Sequence, residues 1–215
     1  MVVMDAHLLA AFAVATFLLN VAPGPDLLFI ITNGVAGGRR AGFLAALGVS
    51  TGLVVHSVAA AFGLGFLIAR APEALTVVRI AGAVVLLYLA YTTWKGSRVA
   101  LDVAEVPQRS LRRVYFMAAL TNLANPKVIL FYLAFVPQFI TKGDQAWPVT
   151  AQMLVLGLMF IVTGLMVDGP AGLLSGHLSE RIARRPGFRT WMERVSAGVF
   201  AVLAARLVQE TTTTR

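Results

Sequence analysis

The sequence contains no cysteine and few charged side chains. Without cysteine, the chain can form neither a disulfide nor a thiolate-ligated metal site. Charged residues make up 13% of the chain, about half the share that is usual in a soluble domain, whereas 58% of its residues are hydrophobic. A soluble fold of 215 residues could not bury that much apolar surface in one core. A lipid bilayer solvates apolar outer faces, so the composition predicts an integral membrane protein.

Signatures of catalysis are also missing. The sequence has no H-E-x-x-H motif, no cysteine nucleophile and no acidic metal cluster. An intramembrane aspartyl protease needs two aspartates within reach of each other, and Asp26 and Asp168 could only qualify by accident. The net charge of +8 does not indicate a nucleic-acid surface, because the basic residues stand at the ends of apolar runs. We therefore expect no enzyme, no cofactor, no metal and no nucleic-acid partner.

Long apolar runs fill most of the chain. A spanning helix needs about 20 mostly apolar residues, and six stretches reach that length. The gaps between them leave no room for a soluble domain, so we expect one transmembrane domain over residues 1–215, all α-helical. The first stretch lacks the basic start of a signal peptide, because no Lys or Arg precedes Arg39, and we expect it to be retained. The stretches are roughly Ala6–Asn33, Ala41–Ala69, Ala74–Trp94, Val114–Ile140, Pro148–Ser175 and Thr190–Gln209.

Basic residues alternate between the predicted loops. The second and fourth loops offer little beyond Arg70 and Lys142, whereas the first, third and fifth are basic. By the positive-inside rule, the basic loops face the cytoplasm and both termini face outward, which requires an even number of spans. The third and fifth loops are also suited to anionic lipid headgroups. The residues concerned are Arg39 and Arg40, then Lys95, Arg98, Arg109, Arg112 and Arg113, then Arg181, Arg184, Arg185, Arg189 and Arg194.

The two halves of the chain resemble each other. Each comprises three predicted spans, the first repeat covering about residues 1–98 and the second about 110–210. Since three is an odd number, the second copy enters the membrane from the opposite side. Such inverted repeats are typical of secondary transporters, whose substrate site lies at broken helices near the midplane. The matched residues are Pro25 with Pro126, Asp26 with Lys127, His56 with Asp168, and Gly82 with Gly198.

Proline interrupts the first and fourth predicted spans at matching points. Pro23 and Pro25 flank Gly24 in the first span, and Asn125 precedes Pro126 in the fourth. Proline lacks an N–H group and clashes with the preceding helical turn. Backbone groups freed in this way must line a cavity or be buried in protein. The two breaks therefore favour a shared cavity, although the prolines alone are equally consistent with two simple kinks.

Ionisable side chains stand beside both breaks. Asp26 and Lys127 each follow a break directly, inside apolar runs. Such groups are costly in a bilayer unless paired or hydrated, and they usually face the bundle interior. They could pair with each other, or they could also meet a charged substrate or a proton. An amino acid suits them, since its carboxylate fits a half-helix N-terminus or Lys127, and its ammonium fits Asp26, Asp168 or freed carbonyls.

Two further titratable residues are candidates on account of their depth and the repeat. The imidazole of His56 has an ordinary pKa near neutrality, so it is a candidate proton carrier. A neutral histidine bonded to a neighbouring helix is the alternative. Asp168 precedes Gly169-Pro170, another interruption, and is either a substrate or coupling residue or a helix-end cap.

The motifs Pro23-Gly24-Pro25-Asp26 and Asn125-Pro126-Lys127, taken together, resemble those of the lysine exporter superfamily (LysE/RhtB type). The likeness is to its homoserine/threonine-resistance branch, and it extends through Asn33–Gly42 and Phe135–Phe139. It implies an inner-membrane secondary transporter that exports small, neutral amino acids or derivatives, such as homoserine-, threonine- or leucine-like substrates. It also implies efflux driven by an ion gradient, here taken as protons, and the absence of a Walker-type phosphate loop agrees.

The resemblance places site residues only on the two motifs, and His56 and Asp168 rest on the internal repeat. A channel or a structural membrane subunit is the alternative function. A channel needs a continuous polar lining, and the second span offers little beyond Ser50, Thr51, His56 and Ser57. The expected partners are an amino-acid substrate, protons and membrane lipids, and the sequence leaves a homodimer open.

Overall fold

The computed structural model describes residues 4–22, 24–70, 109–141, 143 and 145–175, with isolated positions between 77 and 95 and between 191 and 209. Pro23 and most of the predicted third and sixth spans lie outside the described residues, as do Lys142 and most of the basic fifth loop. The described residues contain helices and turns but no strand. The α-helices whose bounds the structure describes are α1 (Ala6–Val21), α2 (Pro25–Arg70), α3 (Leu111–Leu123), α4 (Pro126–Leu130) and α5 (Val149–Leu173).

The first apolar run forms two helices with a break between them. α1 ends at Val21, and Ala22 has an extended backbone with φ −62° and ψ 119°. α2 then begins at Pro25, where a missing N–H group costs nothing because the first turn has no acceptor for it. The interruption predicted around Gly24-Pro25 is confirmed.

α2 has a kink at Gly38. This residue has φ 78° and ψ −179°, a conformation that side chains with a Cβ rarely adopt. Helical residues stand on both sides of it, so the predicted loop at Arg39 and Arg40 is reduced to this single break. α2 thus covers the end of the first predicted span, the predicted loop and the second predicted span.

The fourth predicted span is broken as well. α3 ends at Leu123 and α4 begins at Pro126, with a bend of 47° between α3 and the helical residues that follow. A π-helical turn at Phe131–Phe135 and a 3-10 turn at Val136–Phe139 continue from α4. The interruption predicted at Asn125-Pro126 is therefore confirmed.

Candidate membrane spans can be counted among the described helices. Pro25–Gly63 and Val149–Leu173 are long and apolar enough to cross a bilayer, and the bent pair Leu111–Leu123 with Pro126–Phe139 makes a third if it acts as one span. Large apolar side chains cover their outward faces. The architecture is thus that of an all-α membrane protein. Exposed examples are Val54, Val55, Val58 and Phe62 on α2 and Leu158, Val162 and Met166 on α5.

Glycines let α2 pack closely against α3 and α5. A Cβ on Gly48 would stand 2.8 Å from the Cβ of Ala118, and one on Gly52 would overlap the side chain of Asn122. Gly42 and Gly172 meet backbone to backbone on the α5 side. Gly48 and Gly52 form a G-x-x-x-G pattern, and small residues at such spacing are usual where membrane helices pack closely.

Replacing Gly52 by alanine should therefore destabilise the protein. The new methyl group has no space beside Asn122, and such overpacking costs about 1–3 kcal/mol. Gly63→Ala is the matched control, because a Cβ there would meet nothing within 4 Å. Thermal unfolding of both purified variants in detergent measures the difference. Equal melting temperatures would show that α2 and α3 are not held as closely as described.

Candidate functional site

A small cavity lies where the two breaks meet. Its volume of about 10 Å³ holds one water molecule but no amino acid. A larger molecule therefore fits this cavity only if the helices around it move apart. The cavity is lined by Asn20, Asp26, Leu27, Val49, Leu53, Asn122, Lys127, Val128 and Asp168.

Asp26 joins the start of α2 to both sides of the second break. Its side chain is 8% exposed. Oδ2 accepts a hydrogen bond of 2.8 Å from the Asn122 amide at the end of α3, and one of 2.9 Å from the Asn125 amide before α4. Two such donors stabilise a buried carboxylate.

Asn125 uses both ends of its amide. Its nitrogen donates to Asp26, and its oxygen accepts a bond of 3.0 Å from the backbone N–H of Lys127, which caps α4. An amide side chain can donate through its nitrogen and accept through its oxygen at the same time. The Asn of the Asn-Pro-Lys motif is thus explained by geometry.

Lys127 binds the other break. Its ammonium donates to the carbonyl oxygens of Leu19 at 3.0 Å and Ala22 at 3.2 Å, which the end of α1 leaves without helical partners. Gly24 makes room for it, because a Cβ there would lie 3.2 Å from Nζ. Among the described residues, no direct ion pair joins Lys127 to Asp26, which was one alternative from the sequence. Asp26 instead binds residues at the second break, and Lys127 binds residues at the first break.

Asp168 approaches the cavity from α5. Its side chain is buried, and the helix continues past it to Leu173, so this aspartate does not cap a helix end. The structure thus brings Asp26, Lys127 and Asp168 to one cavity, as the sequence predicts. No group of three or more His, Asp or Glu side chains among the residues described is placed to hold a metal ion.

His56 lies beside the cavity rather than in its lining. Its Nε2 stands 3.3 Å from the backbone oxygen of Asn122, and its ring stacks on Tyr132 with centroids 5.6 Å apart. Tyr132 belongs to the π-helical turn, and its hydroxyl shares a hydrogen bond of 2.7 Å with Ser57. This geometry matches the structural alternative, a histidine bonded to a neighbouring helix.

Two amide residues of the cavity, Asn20 and Asn122, were not predicted from the sequence. Each lies in the last turn of a helix that ends at a break, Asn20 in α1 and Asn122 in α3. A polar amide inside an apolar run, one turn before a proline break, is the signal that would have found them. Asn122 is fully buried and contacts both Asp26 and Gly52.

Comparisons with known proteins identify the family of this chain. The LysE-type translocator family matches residues 17–211. An uncharacterised membrane protein of Vibrio cholerae is 32% identical over 201 residues, which cover 92% of this chain and 94% of that protein. Homoserine/homoserine lactone efflux proteins of Salmonella typhimurium and Salmonella typhi are each 33% identical over 176 residues, covering 80% of this chain and 81% of theirs. No solved structure matches. The resemblance seen in the two motifs is confirmed, and the chain belongs to the LysE-type translocators.

Proposed function

We propose that this chain exports small neutral amino acids or their derivatives, of the homoserine and threonine kind, across the inner membrane in exchange for protons. One observation carries the proposal: a small cavity at two broken helices is lined by two carboxylates and one ammonium group. Charged groups at such depth usually mark the path of a substrate or ion. The names of the Salmonella relatives favour the same substrate class.

The proposed transport cycle follows from the small size of the cavity. The substrate ammonium meets Asp26 and Asp168, while its acyl group lies among the helix ends at the breaks. Because the cavity holds only about one water molecule, α1 and α2 must separate from α3, α4 and α5 on one side at a time. Six spans arranged as two inverted repeats, about 1–98 and 110–210, would provide this alternating access. In this arrangement the first, third and fifth loops are cytoplasmic.

Transport in inside-out membrane vesicles tests the proposal. An acidic lumen should drive labelled homoserine or threonine into vesicles that contain the protein, because protons leave as the substrate enters. Vesicles without the protein give the background, and a protonophore should return uptake to that level. Uptake that is the same with and without the pH gradient would contradict proton coupling. If uptake of every neutral amino acid in a panel stays at the background level, the proposed export is contradicted.

A further inference from the structure

The two carboxyl groups of the cavity have different surroundings. Oδ2 of Asp26 accepts hydrogen bonds from the amides of Asn122 and Asn125, which stabilise its ionised form. Asp168 is 5% exposed, and no group within the described part of the chain donates a hydrogen bond to it or forms an ion pair with it. A buried carboxylate without such partners is costly, and a carboxyl group so placed takes up a proton instead. The surroundings therefore favour a neutral Asp168 beside an ionised Asp26.

Unsatisfied acceptors in the same cavity point the same way. Oδ1 of Asp26 and Oδ1 of Asn122 are buried and have no hydrogen-bond partner among the described residues. A buried acceptor without a donor is costly. Protonated Asp168 carries an O–H donor, whereas its ionised form carries none. Because all three side chains line a cavity that holds one water molecule, this donor supplies a free acceptor directly or through that water.

The charged groups around Asp168 come from two other helices. α2 contributes Asp26 and α4 contributes Lys127, whereas α1 and α3 line the cavity with the neutral amides of Asn20 and Asn122. The ammonium of Lys127 donates to two carbonyl oxygens at the end of α1 rather than to a carboxylate. With one proton on Asp168, the cavity has one negative and one positive group. Without that proton, two carboxylates face a single ammonium.

His56 is the other titratable side chain near the cavity. It lies on α2 outside the lining, where it is bonded to the backbone oxygen of Asn122 and stacked on Tyr132. The 3-10 turn Val136–Phe139, which also packs against α5, contains no titratable side chain. Among the described residues, Asp168 is therefore the titratable group that lines the cavity without a hydrogen-bond partner.

We infer that Asp168 binds the proton that is exchanged for the substrate, and that this proton and the substrate ammonium occupy Asp168 in turn. This inference rests on the proposed function and names its coupling residue. When the cavity opens to the cytoplasm, the O–H bond of Asp168 breaks and the proton passes to cytoplasmic water. The carboxylate left behind attracts the substrate ammonium. When the cavity opens outward, the substrate leaves and Asp168 takes a proton from the water outside, so one proton enters for each substrate molecule exported.

Asp168→Asn separates proton coupling from substrate binding. Asparagine resembles the protonated acid, has no proton to release in exchange, and keeps an oxygen that accepts from the ammonium. In inside-out vesicles with an acidic lumen, uptake of labelled threonine by this variant should be the same with and without the pH gradient. Vesicles preloaded with unlabelled threonine should still exchange it for labelled threonine, at a half-saturation concentration about tenfold higher because a neutral acceptor binds ammonium less strongly. Uptake that is still driven by the gradient, or loss of exchange at saturating threonine, would overturn the inference.

The pH dependence of exchange is a readout that a purely structural role of Asp168 would not change. With equal pH on both sides, the half-saturation concentration of the unaltered protein should rise as the pH falls, because protons then occupy Asp168 in place of the substrate. In Asp168→Asn it should not change with pH. If this variant fails to fold, a half-saturation concentration that is independent of pH in the unaltered protein still overturns the inference.

His56→Gln is the matched control, since glutamine does not titrate and can still donate to the backbone oxygen of Asn122. This variant should keep the uptake driven by the pH gradient. Loss of that uptake with exchange retained would assign the proton to His56 and overturn the inference. If the unaltered protein exchanges threonine but does not respond to the pH gradient, the proposed proton coupling is itself wrong.

Discussion

Asp26→Asn is expected to lower efflux of a preloaded amino acid about 100-fold or more, with normal amounts of protein in the membrane. The shape of the side chain is kept, and its remaining oxygen can still accept from Asn122 and Asn125. The negative charge is lost, and the new amide nitrogen takes the place of Oδ1, which has no hydrogen-bond partner among the described residues. Removing one partner of a buried charge pair costs about 2–5 kcal/mol, which corresponds to about 30-fold to several thousand-fold in affinity.

The measurement is the initial rate of labelled homoserine efflux from cells, with the amount of protein checked by immunoblot. Asp5→Asn provides the same chemical change at an exposed position. Asp5 is the N-cap of α1, and an asparagine caps a helix as well as an aspartate does. Efflux through this control should equal that of the unaltered protein. A normal rate in Asp26→Asn would mean that the cavity is not the transport path.

Lys127→Met should abolish efflux and also lower thermal stability. Methionine keeps the length of the side chain but leaves the carbonyls of Leu19 and Ala22 without their donor. Each unsatisfied buried acceptor costs about 1–3 kcal/mol, and the two carboxylates lose their counter-charge. Asp26→Asn removes no such cap, so a fall in melting temperature should distinguish the two variants.

A double variant separates the two roles of Lys127. If charge balance dominates, adding Asp168→Asn to Lys127→Met should recover part of the lost stability without restoring transport. If capping of α1 dominates, the double variant stays as unstable as the single one. Lys95→Met is the control, since that lysine is exposed and donates to Tyr91 outside the cavity. Full stability of Lys127→Met would contradict both roles.

The sequence predicted the breaks because the effect of proline on a helix is local. Pro25 and Pro126 interrupt helices wherever the rest of the chain lies, and the structure confirms both positions. It also predicted that Asp26 and Lys127 face the bundle interior, because a charge inside the bilayer is costly unless it is paired or hydrated. Asp168 was left as either a substrate or coupling residue or a helix-end cap.

The partners of these charges could not be read from the sequence. Opposite charges at matching positions suggest a direct pair, but the structure gives Asp26 two amides and Lys127 two carbonyls. That choice depends on how the helix ends meet in three dimensions. Asn20 and Asn122 were missed for the same reason, since an asparagine in an apolar run has many uses. The predicted loop at Arg39 proved to be a turn at Gly38, because one glycine with positive φ suffices.

The exchange of partners between the breaks has a consequence for ion leakage. Asp26, which follows the first break, accepts a hydrogen bond from Asn125 at the second break. Lys127, which follows the second break, donates to the Leu19 carbonyl at the first break. If the helices separate at one break, the charged side chain that binds there loses its hydrogen-bond partners. An unpaired charge inside the bilayer is strongly disfavoured. A protein that carries neither substrate nor protons is thus expected to stay shut, so that small ions do not leak through it.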